Sequence, residues 1–78
     1  MPTILRVRGY RFFFSSLDVR EPPHVHVEKG EGYAKFWLDP VGLARSRHFA
    51  GHELTEIAAL VMQYRVLFRE KWNEHFST

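Results

Sequence analysis

The chain has 78 residues, a formal net charge of +2 and no cysteine. This length allows a single domain with a small core, and the lack of cysteine excludes a disulfide scaffold, a zinc ribbon and a thiol nucleophile. The longest apolar run, residues 57–62, is far below the roughly 20 residues that cross a bilayer, and the first residues lack the order of a signal peptide. We therefore expect one cytoplasmic domain, residues 1–78, with no membrane segment.

Residues 4–14 predict a β-hairpin. Apolar and charged side chains alternate on both sides of Gly9-Tyr10, and glycine at the first position of a two-residue loop suits a tight turn. This register pairs Arg8 directly with Arg11. It also brings the apolar side chains of both strands onto one face, which supports the pairing.

Residues 24–38 predict a second hairpin, which turns at Gly30-Glu31 or at Glu31-Gly32. Either turn leaves Val25 and Val27 on the face that meets the core, because side chains alternate along a strand. The two hairpins together predict a four-stranded antiparallel sheet over residues 1–38.

The composition changes after the second hairpin, where apolar residues begin to recur every three or four positions. Asp39-Pro40 suits the cap and the first position of a helix, which predicts a short helix over residues 39–47. A long helix is predicted over residues 51–76 from its apolar stripe. Three further apolar residues lie partly off this stripe and suggest a second contact, such as a partner: Leu60, Val66 and Leu67. The predicted fold class is α+β, a four-stranded antiparallel sheet of two hairpins followed by a short helix and a long C-terminal helix on one face.

The face of the sheet that the helices leave uncovered is rich in cations and rings. Its side chains are those of Arg6, Arg8, Arg11, Phe13, Tyr33, Lys35 and Trp37, together with His24 and His26. Arginine binds phosphate through paired hydrogen bonds and flat rings stack on bases, so this surface suits single-stranded RNA. The same residue types are enriched at protein–protein interfaces, and the pattern leaves both alternatives open.

His24 and His26 point the same way on one predicted strand, and three interpretations compete. With Glu28 or another histidine they could hold zinc, but the spacing fixes no third ligand, so we expect no metal and no cofactor. They could be the acid and base of a metal-independent ribonuclease, with His26 as base or acid and His24 as its partner. They could also pack on neighbouring rings without chemistry.

The start of the long helix offers a second candidate for a phosphate contact. Arg45 and Arg47 precede His48 and His52 there, and the free N–H groups of a helix start attract anions. The alternative is that all four are solvated loop residues.

Several segments resemble one family over nearly the whole chain. They include residues 1–6, Glu21-Pro22-Pro23-His24-Val25-His26-Val27, residues 34–40 and Trp72-Asn73-Glu74, and together they resemble the prokaryotic domain of unknown function family 4160 (DUF4160). The resemblance implies no established activity. It does imply a two-gene arrangement, in which a second small protein resembles the family numbered 2442, and hence a toxin–antitoxin-like pair.

We therefore expect a component of a prokaryotic toxin–antitoxin-like module that binds RNA or its cognate partner protein through the uncovered face. Metal-independent cleavage of RNA by His24 and His26 is a further expectation for the case of a toxin. The alternative is a non-catalytic module that uses the same face to form a homodimer or to bind its partner.

Overall fold

A meander of five strands precedes two helices in the chain. The computed structural model describes residues 3–15 and 18–76. The strands are β1 Thr3–Val7, β2 Tyr10–Phe13, β3 His24–Lys29, β4 Gly32–Leu38 and β5 Val41–Arg47; the helices are α1 Gly51–Gln63 and α2 Arg65–Phe76, with a 3₁₀ turn at Asp18–Arg20. The strands form one antiparallel sheet in the order β1-β2-β3-β4-β5. Among the described residues, no helix is both long and apolar enough to cross a membrane.

The α+β class is confirmed by the antiparallel sheet and the two helices, and the second hairpin confirms which side of β3 and β4 meets the core. It turns at Gly30-Glu31, so Val25 pairs with Phe36 and Val27 with Ala34. Both valines are fully buried in the core. Because neighbours along a strand point to opposite faces, the residues between them lie on the other side of the sheet.

The first hairpin turns one residue earlier than predicted, so residues 5–7 of β1 pair with residues two positions away from their predicted partners. Arg8 and Gly9 form the turn, both with positive φ (54° and 84°), as a type I′ turn requires. Tyr10 is therefore not in the loop but pairs with Val7, and Arg11 pairs with Arg6. The predicted Gly9-Tyr10 loop and the pairing of Arg8 with Arg11 are wrong, because the ring of Tyr10 is buried in the core.

A fifth strand replaces the predicted short helix over residues 39–47. The chain turns at Asp39-Pro40, whose peptide bond is cis, and β5 then pairs with β4, with Val41 opposite Leu38. The free backbone groups along the edge of β4 give this segment a hydrogen-bonding partner, whereas its mostly exposed side chains offer no apolar stripe for a helix. The sheet therefore has five strands rather than four.

The predicted long helix over residues 51–76 is two consecutive helices that meet at Tyr64. Its backbone angles (φ −104°, ψ 16°) leave the helical region, although its N–H still bonds the carbonyl of Leu60 at 2.9 Å. Residues of the predicted apolar stripe such as Ile57 and Phe68 are fully buried. Leu60 is buried as well, so it belongs to the core and the second contact predicted for it is wrong, whereas Val66 is exposed and the contact predicted for it stays a prediction.

The start of α1 is fixed by two local contacts. The Ala50 N–H donates to Oε1 of Glu53 at 2.8 Å, which satisfies one of the free donors at a helix start. Phe49 lies against Gly32 so closely that a Cβ at Gly32 would be 2.3 Å from the ring. Glycine at that position therefore lets Phe49 pack on the sheet and places α1 over the core.

Candidate functional site

The face of the sheet opposite the helices carries a surface of cations and rings that we call the open face. Its members are Arg6, Arg11, Phe13, Tyr33, Lys35, Trp37, Arg45 and Arg47. All of them except Arg45 and Arg47 were predicted to share this face, together with Arg8, His24 and His26. β5 adds the two new arginines, because Arg47 pairs directly with Tyr33 and Arg45 with Lys35, and directly paired residues share a face.

A small cleft on this face is formed by Tyr33, Arg45, Ser46 and Arg47 and has a volume of about 180 Å³. The guanidinium carbons of Arg45 and Arg47 lie 5.8 Å and 5.5 Å from the centre of the Tyr33 ring. Both arginines are exposed, and within residues 3–15 and 18–76 neither forms an ion pair or a side-chain hydrogen bond. Their donors are therefore available to an anion.

Two other cations of the open face already have protein partners. Arg11 donates to Glu28 Oε1 and to Thr3 Oγ1, both at 2.7 Å, and Lys35 donates to Glu21. The hydrogen bond from Lys35 lowers the pKa of Glu21. These contacts hold both cations against the sheet, whereas Arg6 is exposed on β1.

Arg8 does not lie on the open face, contrary to its predicted place there. It stands in the β1–β2 turn and pairs with Glu56 of α1 at 3.1 Å. The Tyr10 hydroxyl donates to the same carboxylate at 2.8 Å. Burial, together with this hydrogen bond and the charge of Glu56, raises the pKa of Tyr10 to about 12.

The two histidines are covered rather than exposed. His24 has 0% and His26 has 8% of its surface accessible, so the prediction that both stand on an uncovered surface is wrong. His26 stacks between the rings of Phe13 and Tyr33, whose centres are 5.3 Å and 5.9 Å away. Its parity on β3 is nevertheless the predicted one, since it pairs with Lys35 on the open side.

Asp18 of the 3₁₀ turn covers both imidazoles. Its Oδ1 is 3.0 Å from His24 Nε2, and both of its oxygens are 3.0 Å from His26 Nε2. Only 7% of its surface is accessible. Burial raises the pKa of Asp18, but the Ser15 N–H and the two imidazoles outweigh it, so the pKa lies below the ordinary 3.8.

The second nitrogen of each imidazole is also engaged. His24 Nδ1 is 2.9 Å from the Pro22 carbonyl oxygen, and His26 Nδ1 is 2.8 Å from the Tyr33 hydroxyl. Both Nε2 atoms therefore point at Asp18, and one ligand atom from each of the three residues lies within 4.8 Å of the others. Asp18, His24 and His26, hereafter the Asp–His–His cluster, are the described residues that could hold a metal ion.

Neither Asp18 nor the contribution of β5 was predicted from the sequence. Glu28, a candidate third metal ligand in the sequence, is paired with Arg11 instead. The signal for Asp18 was its position only six residues before His24, across a segment that two prolines keep stiff. The signal for β5 was the alternation of Leu43, Arg45 and Arg47 with small residues.

The geometry separates two chemical capacities. The cleft presents the guanidinium groups of Arg45 and Arg47 beside the partly exposed ring of Tyr33, which suits a phosphate next to a base. The buried imidazoles of His24 and His26 lie under Asp18 and are out of reach of a substrate hydroxyl, which a general base must approach within hydrogen-bond distance. Their predicted roles as acid and base stay predictions, and the geometry weighs against them.

Comparison with curated proteins and with solved structures finds no significant match. The model of one family, described as a domain of unknown function (DUF4160), matches residues 9–73. This match includes the open face beyond β1, the Asp–His–His cluster and nearly all of the helical layer. The chain therefore belongs to the DUF4160 family.

Proposed function

We propose that this protein binds single-stranded RNA through the open face, as a component of a toxin–antitoxin-like module. The observation that carries the proposal is the cleft in which Arg45 and Arg47 flank the Tyr33 ring, with no ion pair or side-chain hydrogen bond to any other described residue. An unpaired cation on a protein surface is common, but two of them at 5.8 Å and 5.5 Å from one accessible ring combine both parts of a nucleotide-binding site.

The rest of the open face extends this site along the sheet. Lys35 lies over the ring of Trp37, 4.7 Å from its centre, and Arg11 lies over Phe13 at 4.5 Å. Both cations are paired with carboxylates, Lys35 with Glu21 and Arg11 with Glu28, so they hold the rings in place and bring a local positive charge close to them. A strand of RNA that crosses β4 would therefore meet alternating sites for phosphate and base.

The proposed activity is binding and does not include cleavage by His24 and His26. A ribonuclease of that kind needs one group to take the 2′-hydroxyl proton and another to protonate the leaving oxygen. Both imidazoles are enclosed by Asp18 and by rings. The exposed arginines can hold RNA without either of them.

The toxin–antitoxin part of the proposal rests on the resemblance to a family whose members often accompany a second small protein. Its test is to express the chain together with the product of the neighbouring gene and to measure whether the two purify as a stoichiometric complex. Separate purification of the two proteins would remove this part and leave the RNA-binding part standing.

RNA binding is tested by fluorescence anisotropy with a labelled single-stranded RNA of mixed sequence at several salt concentrations. Each phosphate contact to a single strand contributes about −0.7 to the slope of log K against log salt. We expect the double variant Arg45→Gln/Arg47→Gln to make this slope shallower by about 1.4 and to weaken binding.

The matched control is Arg65→Gln/Lys71→Gln, which removes two exposed charges from α2 on the opposite layer. It has the same net charge as the test variant, so a difference between the two reports position and not total charge. Equal affinities and slopes for both variants would refute the proposal. A homodimer in solution that persists at high salt, with no RNA binding, would favour the protein-interface alternative instead.

A further inference from the structure

We propose that the Asp–His–His cluster is a binding site for a divalent transition metal ion of the zinc type. Its ligands would be a carboxylate oxygen of Asp18 and the Nε2 atoms of His24 and His26. The inference is independent of RNA binding, since these atoms lie beneath the open face and none of them lines the cleft.

The spacing of the donor atoms fits such an ion. Zinc bonds to nitrogen and oxygen are about 2.0–2.1 Å long, so the ligands of a tetrahedral centre lie about 3.3 Å apart. Here the carboxylate of Asp18 is 3.0 Å from each Nε2 atom, and the three donors fall within 4.8 Å of one another. The limit of 4.8 Å is wider than a tetrahedral centre allows, so metal binding would draw the donor atoms closer together.

His24 supplies an independent sign that a cation belongs there. A carbonyl oxygen can only accept, so the bond to Pro22 O at 2.9 Å puts a proton on His24 Nδ1. In the neutral ring, Nε2 is then a bare lone pair. This atom is fully buried, has no hydrogen bond and faces a carboxylate oxygen at 3.0 Å.

Two lone pairs that face each other in a buried site repel, so the contact needs a cation between them: either a second proton on His24, which then donates to Asp18, or a metal ion. A metal ion between His24 and Asp18 turns this contact into two favourable bonds. His26 would exchange the contact of Nε2 with Asp18 for a bond to the metal, while Nδ1 keeps its partner and donates to the Tyr33 oxygen. Metal-binding histidines are usually held by such a bond from the other ring nitrogen.

The donor set also selects the class of ion. Two imidazoles and one carboxylate favour zinc and its first-row neighbours over magnesium and calcium, which prefer oxygen ligands. Three protein ligands leave one position of a tetrahedral centre for water or another donor. Since Asp18 comes from the 3₁₀ turn and the histidines from β3, the ion would also fasten that turn to the sheet.

The experiment measures bound metal in the whole chain. The protein is stripped with a chelator, dialysed against zinc and then against metal-free buffer, and its metal content is determined by mass spectrometry. We expect a stoichiometric amount of zinc in the native protein and its loss in Asp18→Asn and His26→Ala. His52→Ala is the matched control, because His52 is exposed at the start of α1 and lies outside the cluster.

A second readout distinguishes loss of the site from loss of the fold. Cobalt(II) in a tetrahedral site with nitrogen ligands gives strong visible absorption, which reports the coordination directly. Titration of the native chain with cobalt should develop these bands and reach an endpoint. Competition between cobalt and zinc should show that Asp18→Asn binds zinc more than about 100-fold more weakly than the native chain. A loss of that size exceeds the effect of removing a residue that only hydrogen-bonds a metal ligand. Circular dichroism checks that Asp18→Asn, which keeps the side-chain shape, is folded.

Two results would overturn the inference. One is a native protein that keeps no zinc after dialysis and shows no tetrahedral cobalt bands, which would mean that Asp18 and the histidines form an ion pair without metal. The other is zinc retention by Asp18→Asn and His26→Ala equal to that of His52→Ala, which would place any bound zinc elsewhere. If a variant is unfolded without metal, the titration of the native chain decides.

Discussion

Tyr33 contributes to both proposed sites, with its ring to the RNA-binding cleft and its hydroxyl to the Asp–His–His cluster. The ring borders the cleft with Arg45 and Arg47, while the hydroxyl lies 2.8 Å from His26 Nδ1. Tyr33→Phe removes only the hydroxyl, and Tyr33→Leu removes the flat ring as well. The pair of variants therefore separates RNA binding from metal binding at one position.

The structure sets the expected size of each effect. The hydroxyl is the outer partner of a histidine in the Asp–His–His cluster, and loss of such a partner costs about 10- to 100-fold in metal affinity. The ring stacks on a base, which is worth roughly 1–3 kcal/mol or about 5- to 150-fold in RNA affinity. We therefore expect Tyr33→Phe to keep most of its RNA affinity and to bind zinc weakly, whereas Tyr33→Leu loses both.

Two assays on the same preparations measure the effects. Anisotropy with the labelled single-stranded RNA gives one dissociation constant, and competition between zinc and a chromophoric chelator gives the other. A thermal melt of each variant without metal verifies that the fold is kept, since Tyr33 is half-buried on β4.

Two results would contradict these separate roles of the Tyr33 hydroxyl and ring. Zinc affinity of Tyr33→Phe equal to that of the native chain would show that the hydroxyl does not support His26. RNA affinity of Tyr33→Leu equal to native would show that the ring does not stack on a base, even if Arg45 and Arg47 still hold phosphate.

Three further predictions concern stability. Gly32→Ala should lower the free energy of unfolding, measured in urea, by about 1–3 kcal/mol, because its Cβ would lie 2.3 Å from Phe49. Gly42→Ala is the control, because a Cβ there meets open space. An equal loss in Gly42→Ala would show that the contact with Phe49 is not the cause. Phe68→Ala should lose about 3–5 kcal/mol, since its ring is fully buried against the sheet, and a midpoint close to native would contradict the packing of α2. The free energy of unfolding should fall as the pH rises from 10 to 12, because the folded chain keeps the Tyr10 proton, with its pKa of about 12, after the unfolded chain has lost it. In Tyr10→Phe this part of the pH profile should flatten, and an unchanged slope would show that another group is responsible.

The second hairpin was predictable because local patterns and packing agree there. Val25 and Val27 alternate with polar residues, and only one face of a strand can meet the core. Gly30 also marks the turn, which it enters with a positive φ of 58°. These signals fixed the face of every residue on β3 and β4.

β5 was missed because little in its own sequence specifies a strand. Its side chains are mostly exposed, so its stability comes from backbone pairing with β4, which is a non-local contact. Asp39-Pro40 is compatible with both a helix start and a turn. Arg45 and Arg47 were therefore considered as anion contacts but assigned to a helix.

The covering of His24 and His26 also depends on contacts that no periodic pattern encodes. Asp18 lies in a 3₁₀ turn of three residues, and its place over the histidines follows from the path of the chain between β2 and β3. The alternation of side chains along β3 correctly predicted that His26 lies on the side of the sheet opposite the core. What it could not indicate is whether a loop or solvent covers that side.

The most direct test of the central claim, that the open face binds RNA, is an NMR titration of the ¹⁵N-labelled chain with single-stranded RNA. We predict that the amide signals of β4 and β5 around Tyr33, Arg45 and Arg47 shift in proportion to bound RNA, while the amide signals of residues on the outward side of α1 and α2 do not change. Shifts confined to the two helices, or none at RNA concentrations that saturate the anisotropy signal, would contradict the account.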